Sequence, residues 1–228
     1  MTSERTQKTK KLTMLAMLCA LAYAAMLLSK LVPPFFPAAP YLSYDAKDII
    51  IVIGGFIMGP LAAAGVAIVV AVIEMFTVSQ TWIIGMVMNA LAACSFTCTA
   101  SIIYKKKHTM SGAVIGLVSG SLVMTVVMVL WNILLTPMFT PEMSRQDIIA
   151  LVPTIFIPFN LIKCGINVAV TLLLYKPVVT ALRKAKLIPE DSFAAPKAAK
   201  GKHVGLILAA AVLLASCVLI ILALRGII

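Results

Sequence analysis

Three polar residues stand on one side of an apolar run near the middle of the second half of the chain. In "PFNLIKCGIN", Pro158 to Asn167, the residues Asn160, Lys163 and Asn167 fall at relative positions 0, +3 and +7. On a helix that spacing puts two carboxamides and an ammonium on one face. Polar groups in an apolar span are costly and need partners. The same holds for Glu74, Asn89 and Asn132, which also interrupt apolar stretches. Asn132 and Asn160 are expected at similar depth on neighbouring helices, as a donor–acceptor clamp for a ligand or as an interhelical contact. Lys163 reads either as a lysine snorkelling to the interface or as a hydrogen-bond donor in a pocket opening outward. Glu74 is expected to lie near the outer end of its span. There it can pair with a lysine and reach the interface, the alternative being a proton carrier.

The elements that would position these residues are membrane helices. The chain has 228 residues, 62% hydrophobic, with a mean hydropathy of +1.08, whereas soluble domains are about 45–50% apolar. Apolar stretches fall at about 12–29, 48–58, 61–78, 82–104, 111–136, 148–175 and 204–224. Most reach the roughly 20 residues that a spanning helix needs. The second is short, and Gly59-Pro60 turns it into the third. The expected fold is all-α and polytopic: a basic N-terminus (1–11), a six-helix membrane domain (12–186), a linker (187–203) and an appended seventh membrane helix (204–228). The linker stretch "KLIPEDSFAAPKAAKGKH" is rich in Ala, Pro and Lys and reads as a flexible cytoplasmic connection.

The formal net charge of +11 is a topology signal rather than a nucleic-acid footprint, because the basic residues flank apolar spans. With seven spans and the N-terminus in the cytoplasm, fourteen of the nineteen Lys and Arg lie inside. Lys30, Lys47, Arg145 and Arg225 lie outside, and Lys163 lies in a span. Merging the second and third spans would put Lys105, Lys106 and Lys107 on the wrong side. The basic start, the apolar run and Ala22-Tyr23-Ala24 resemble a signal peptide with a cleavage site. The run continues through Met26, Leu27 and Leu28, which suits a retained helix.

Between the first two spans lies "KLVPPFFPAAPYLSYDAKD". Four prolines and four aromatics make it a stiff, non-helical loop, and its apolar length suits a lid over a pocket. Asp45 or Asp48 is expected to cap the second helix. Small residues repeat every fourth position at Ala16, Ala20 and Ala24, at Gly112, Gly116 and Gly120, and at Gly55 and Gly59. Such ridges let helices approach closely in lipid, within the bundle or against another subunit. The five cysteines form no CxxC pair and read as small buried residues rather than metal ligands. The sequence contains no phosphate-binding G-x-x-x-x-G-K-[ST] loop, no H-E-x-x-H and no G-x-S-x-G. No nucleophile–base pair appears in the spans, so the expectation is a binding or transport protein with no catalytic residue.

The alanine ridge, the Pro/aromatic loop ending in "YLSYDAKDI", the "IGGFIMGPLAAAG" turn and "PFNLIKCGIN" together resemble a family. Over about residues 10–185 the chain is similar to the substrate-binding S components of energy-coupling-factor (ECF) vitamin importers, and within them to the riboflavin-specific type. The resemblance implies a six-helix protein of the bacterial plasma membrane that captures vitamin from outside. It implies docking on a membrane T component that carries two cytoplasmic ATPases, through Ala16, Ala20 and Ala24. It implies that Asn132, Asn160 and Lys163 bind the flavin ring and that the first loop, with Tyr41, Ser43 and Tyr44, closes over it. Asn89 and Asn167 complete the candidate binding set. Riboflavin would be a transported ligand rather than a cofactor. The seventh helix departs from the six-helix pattern.

The chemistry fits a neutral ring with an imide edge, since asparagine both donates and accepts and lysine donates. An unpaired Lys163 would repel a cationic vitamin and attract an anionic one such as a folate or biotin. An S component for another vitamin therefore stays open, as does a stand-alone proton-coupled transporter using Glu74 and Lys163. An intramembrane enzyme finds no support in the residues.

Overall fold

A computed structural model describes residues 2–37, 39–79, 81–140, 143–184 and 200–227. Most of the expected linker, residues 187–199, lies outside the described residues. The described residues form eight α-helices and no strand: α1 (Thr2–Ser29), α2 (Lys47–Met58), α3 (Pro60–Thr77), α4 (Trp82–Lys107), α5 (Met110–Phe139), α6 (Arg145–Leu151), α7 (Ile157–Lys184) and α8 (Lys200–Leu224). One π-helical turn, Val152–Phe156, joins α6 to α7.

Six stretches are long and apolar enough to cross a membrane, and α2 is not among them. At 12 residues it is about 18 Å long, well under a hydrocarbon core of about 30 Å. It can be short because ten of its residues are buried inside the bundle. Its direction follows from contacts at its two ends. The ends of α1, α3 and α5 meet the starts of α4 and α7 around one cavity, through Lys30, Glu74, Asn132, Thr81 and Asn160. Lys47, at the start of α2, reaches Glu74 at that end. Phe56, near the end of α2, packs against Tyr104 and Tyr175 at the other, with ring centroids 4.5 and 5.7 Å away. Helix α2 therefore runs as a seventh pass, and the first loop spans the remaining depth.

The turn from α2 to α3 is made where the sequence places it. Gly59 has φ of 95°, a left-handed value that suits glycine, and Pro60 opens α3. The glycine ridge on α5 serves packing within the bundle. A Cβ on Gly116 would stand 2.7 Å from the Ala100 carbonyl oxygen, and one on Gly120 would stand 2.5 Å from that of Phe96. A Cβ on Gly55 would likewise collide with Ser101. The alanine ridge does the opposite. Met14, Leu18, Ala22 and Met26 face the core, whereas Ala16, Ala20 and Ala24 are exposed on the far side of α1.

The run expected as one sixth span is three segments. Ser144 and Asp147 form a capping box at the start of α6, the Ser144 amide donating to Asp147 Oδ2 at 2.9 Å. Pro153 and Pro158 cannot donate to the helical ladder. In the π turn the Ile157 amide donates to the Val152 carbonyl, five residues back. The insertion resets the face that α7 presents just before Asn160. Helix α8 packs along α7, where Gly165 receives Cys217. Most of α8 otherwise remains on the outside of the bundle.

Candidate functional site

The first loop is a folded lid. Phe35 stacks near Tyr44 with ring centroids 5.7 Å apart and lies 5.9 Å from Phe159 of α7. Phe36, Ala39 and Leu42 join the same apolar cluster, with Ile148 of α6 and Phe156. The prolines fix the loop's path, and its aromatics anchor it over the ends of α5 and α7.

Under the lid lies a cavity of about 320 Å³, at the lower end of small-molecule pockets, which run roughly 300–1,000 Å³. Asn132, Asn160, Lys163, Asn89, Tyr41 and Ser43 all line it, so six of the eight expected binding residues converge there. Met124, Met128 and Phe159 supply apolar surface. Asn132 gives one amide hydrogen to the Met128 carbonyl at 2.7 Å, and Asn160 gives one to the Phe156 carbonyl at 2.8 Å. Each bond runs one turn back along the residue's own helix, so each carboxamide is oriented from below and keeps a second N–H. Burial raises the Tyr41 phenol above its ordinary value, which keeps it protonated.

Tyr44 and Asn167 are not in the cavity lining. The Tyr44 hydroxyl donates to Asn167 Oδ1 at 3.0 Å, and Asn167 Nδ2 donates to Asp48 Oδ2 at 3.4 Å. Their place is one layer deeper, tying the lid to α7 and α2. Asn160, Lys163 and Asn167 still share a face, as their spacing requires. Its two ends serve different partners.

Lys163 is neither snorkelling nor unpaired. It is 6% exposed, and its Nζ lies 3.4 Å from Asp48 Oδ2. The expectation that it attracts anions and repels cations is corrected accordingly, because a carboxylate already stands against it. Glu74 is not at the lipid interface. It is 3% exposed and lines the cavity. Lys47 Nζ lies 2.8 Å from each of its oxygens, and Asn89 Nδ2 donates to Oε2 at 3.0 Å. The expected lysine partner is present, but in the interior. Lys47, counted among the outer topology charges, is 1% exposed and also pairs with Asp45.

The cap of α2 also differs in detail. The N-cap residue is Ala46 and makes no side-chain bond. Asp45, one residue earlier, accepts the Lys47 amide at 3.2 Å, and Asp48 turns to Lys163. Asp45, Lys47 and Asp48 were therefore missed as parts of the site. Their sequence signal was the close alternation of acid, base and acid in "DAKD", directly before an apolar run.

The comparisons with known proteins bear on the chain's family and fold. Residues 10–175 match the model of the family described as ECF transporter, substrate-specific component. The chain is 32% identical over 184 residues to the riboflavin transporter RibU of Staphylococcus aureus (strain TCH60), covering 78% of this chain and 95% of that protein. It is 30% identical to the riboflavin transporter FmnP of Bacillus subtilis (strain 168), covering 79% and 99%. A solved structure described as the S component of a bacterial ECF transporter superposes with a TM-score of 0.63 at 31% identity, covering 78% of this chain and 99% of the other. The family match ends before α8.

Proposed function

Because the chain belongs to the substrate-specific components of ECF transporters, we propose that it is the riboflavin-capturing membrane subunit of an ATP-driven importer. It is a multi-pass membrane protein and not an enzyme. The observation that carries the ligand class is the charge balance of the cavity. Lys30, Glu74 and Lys163 line it, and Lys47, Asp45 and Asp48 pair with those groups directly or through one another. Three cations face three carboxylates, so the formal charges cancel. A neutral wall suits a neutral ligand, and neither an anionic nor a cationic vitamin gains a net attraction.

The α5–α7 side of the cavity suits the flavin ring. Met124, Met128 and Phe159 offer apolar contact to its flat faces. Asn132 and Asn160 can donate to and accept from its imide edge, and Lys163 can donate to a ring carbonyl or nitrogen. Tyr41 and Ser43 close the site from the lid. Two orienting bonds fix the carboxamides before ligand arrives, which lowers the ordering cost of binding.

The exposed ridge of Ala16, Ala20 and Ala24 is the surface that fits a T component, since small residues let another helix approach closely. Two ATPases bound to that component would supply the energy, as this sequence has no phosphate loop of its own. The charge distribution favours a cytoplasmic N-terminus. A stand-alone proton-coupled carrier is less well supported, because Glu74 and Lys163 already hold ionic partners.

The test is a ligand panel on the purified protein. Riboflavin, folate, biotin and thiamine are titrated by calorimetry. Saturable binding of riboflavin alone is expected. Binding of a charged vitamin with no response to riboflavin would replace the ligand.

A further inference from the structure

A buried polar chain runs beneath the cavity, and its members come from two short stretches. Tyr44, at the foot of the lid, and Asp48, in the first turn of α2, stand four residues apart. Lys163 and Asn167 stand about one turn apart on α7. The Tyr44 hydroxyl donates to Asn167 Oδ1 at 3.0 Å, and Asn167 Nδ2 donates to Asp48 Oδ2 at 3.4 Å. Lys163 Nζ lies 3.4 Å from that same carboxylate oxygen. None of the four residues is more than 8% exposed, and of the four only Lys163 lines the cavity.

The chemistry fixes the order of this chain. A carboxylate only accepts, so the Asn167 amide nitrogen faces Asp48 and its oxygen faces the tyrosine, whose hydroxyl then donates. Asp48 Oδ1 has no hydrogen-bond partner. Among the described residues the carboxylate therefore meets two direct donors, both at Oδ2. Sharing one oxygen loosens the grip on Lys163. Lys47 meets Glu74 at 2.8 Å, whereas Lys163 stands 3.4 Å from Asp48. An ammonium carries three hydrogens, and those not aimed at Asp48 stay available to a ligand in the cavity. Without the Tyr44 hydroxyl, Asn167 is free to turn its amide away. Asp48 then keeps a single donor for a buried charge and draws Lys163 towards α2.

We propose that Tyr44, Asn167 and Asp48 are positioning residues for Lys163, and that they make the lysine's reach into the cavity depend on lid closure. This rests on the riboflavin reading, in which Lys163 donates to the ring. Tyr44 and Asn167 act through the lysine rather than by touching the ligand. Lifting the lid takes the Tyr44 hydroxyl from Asn167, and the lysine withdraws. The coupling is reciprocal: a ring that holds Lys163 forward stabilises the closed lid by the same amount.

The test is a double-mutant cycle on the full chain in detergent, read by quenching of riboflavin fluorescence. Tyr44→Phe removes the hydroxyl and keeps the ring that stacks near Phe35. Alone, it should weaken riboflavin binding by about 5-fold or more. Beside Lys163→Met it should cost less than about twofold, because its effect runs through the lysine. Equal losses in both backgrounds would overturn the proposal, since Tyr44 would then act through the fold, and no loss in either would overturn it too. A second readout needs no Lys163 variant. The visible absorption band of a flavin shifts with hydrogen bonds to its ring. Riboflavin bound at saturation to Tyr44→Phe should therefore absorb at a different wavelength from riboflavin bound to the unaltered protein. An unmoved band would overturn the positioning role, because Lys163 would be where it was. If the unaltered protein binds riboflavin and the cycle is additive, the flavin reading stands and the positioning role falls. If the unaltered protein binds no riboflavin, the flavin reading itself fails and takes the proposal with it.

Discussion

Lys47 Nζ lies 2.8 Å from both carboxylate oxygens of Glu74, and neither residue is more than 3% exposed. The pair joins the first turn of α2 to the last turn of α3 at the depth of the cavity. Through Asp45 it reaches the lid, and through Asn89 it reaches α4. Removing Lys47 would leave two carboxylates buried without their counterion. Breaking a buried pair from one side costs about 3–5 kcal/mol. Lys47→Met should therefore lower the melting temperature in detergent clearly. A melting temperature equal to that of the unaltered protein would show that the network carries no stability.

Lys163→Ala and Asn160→Ala should each weaken riboflavin binding. A buried hydrogen bond lost to a ligand costs about 1–3 kcal/mol, or roughly 5- to 150-fold in affinity. Lys163→Ala also strands Asp48, whose Oδ1 already has no hydrogen-bond partner, so its stability should fall as well. Asn160→Ala should be milder on stability, because it only releases the Phe156 carbonyl bond. Equilibrium quenching titrations check both, and full affinity in both variants would remove the ring-binding assignment.

Ala20→Leu should spare binding and block uptake. Ala20 is exposed on α1 and lines no part of the cavity, so the isolated protein should titrate normally. A leucine there would hold another helix away from the ridge. Whole-cell riboflavin uptake is the readout, and normal uptake would exclude the ridge as a docking face.

Much of this site was legible from apolar context alone. Asn132, Asn160 and Lys163 stand out because nothing else polar surrounds them, and helical spacing put two of them on one face. The Gly59-Pro60 turn and the lid were legible from proline and glycine chemistry. Asp45, Lys47 and Asp48 were not, because charges at the edge of an apolar run look like ordinary interface residues. Their burial depends on the lid folding inward, and Glu74 is 27 residues from Lys47 along the chain. The depth difference between Lys163 and Asn167 was hidden for a similar reason. Spacing gives a shared face, but the partner at each level comes from other helices.

Removing α8 should leave binding intact. No described residue of α8 lines the cavity, although Cys217, which meets Gly165 of α7, is buried at the edge of the lid's apolar cluster. A chain ending at residue 199 should keep its riboflavin affinity within about twofold. A larger loss would mean that α8 braces α7 near Lys163, and a circular-dichroism melt would show that bracing directly.

The most direct measurement is an absorbance spectrum of the protein purified in detergent, followed by titration with riboflavin. The account predicts a flavin spectrum that stays with the protein on gel filtration, or saturable fluorescence quenching with about one riboflavin per chain. A colourless protein that fails to quench riboflavin at any concentration would contradict it.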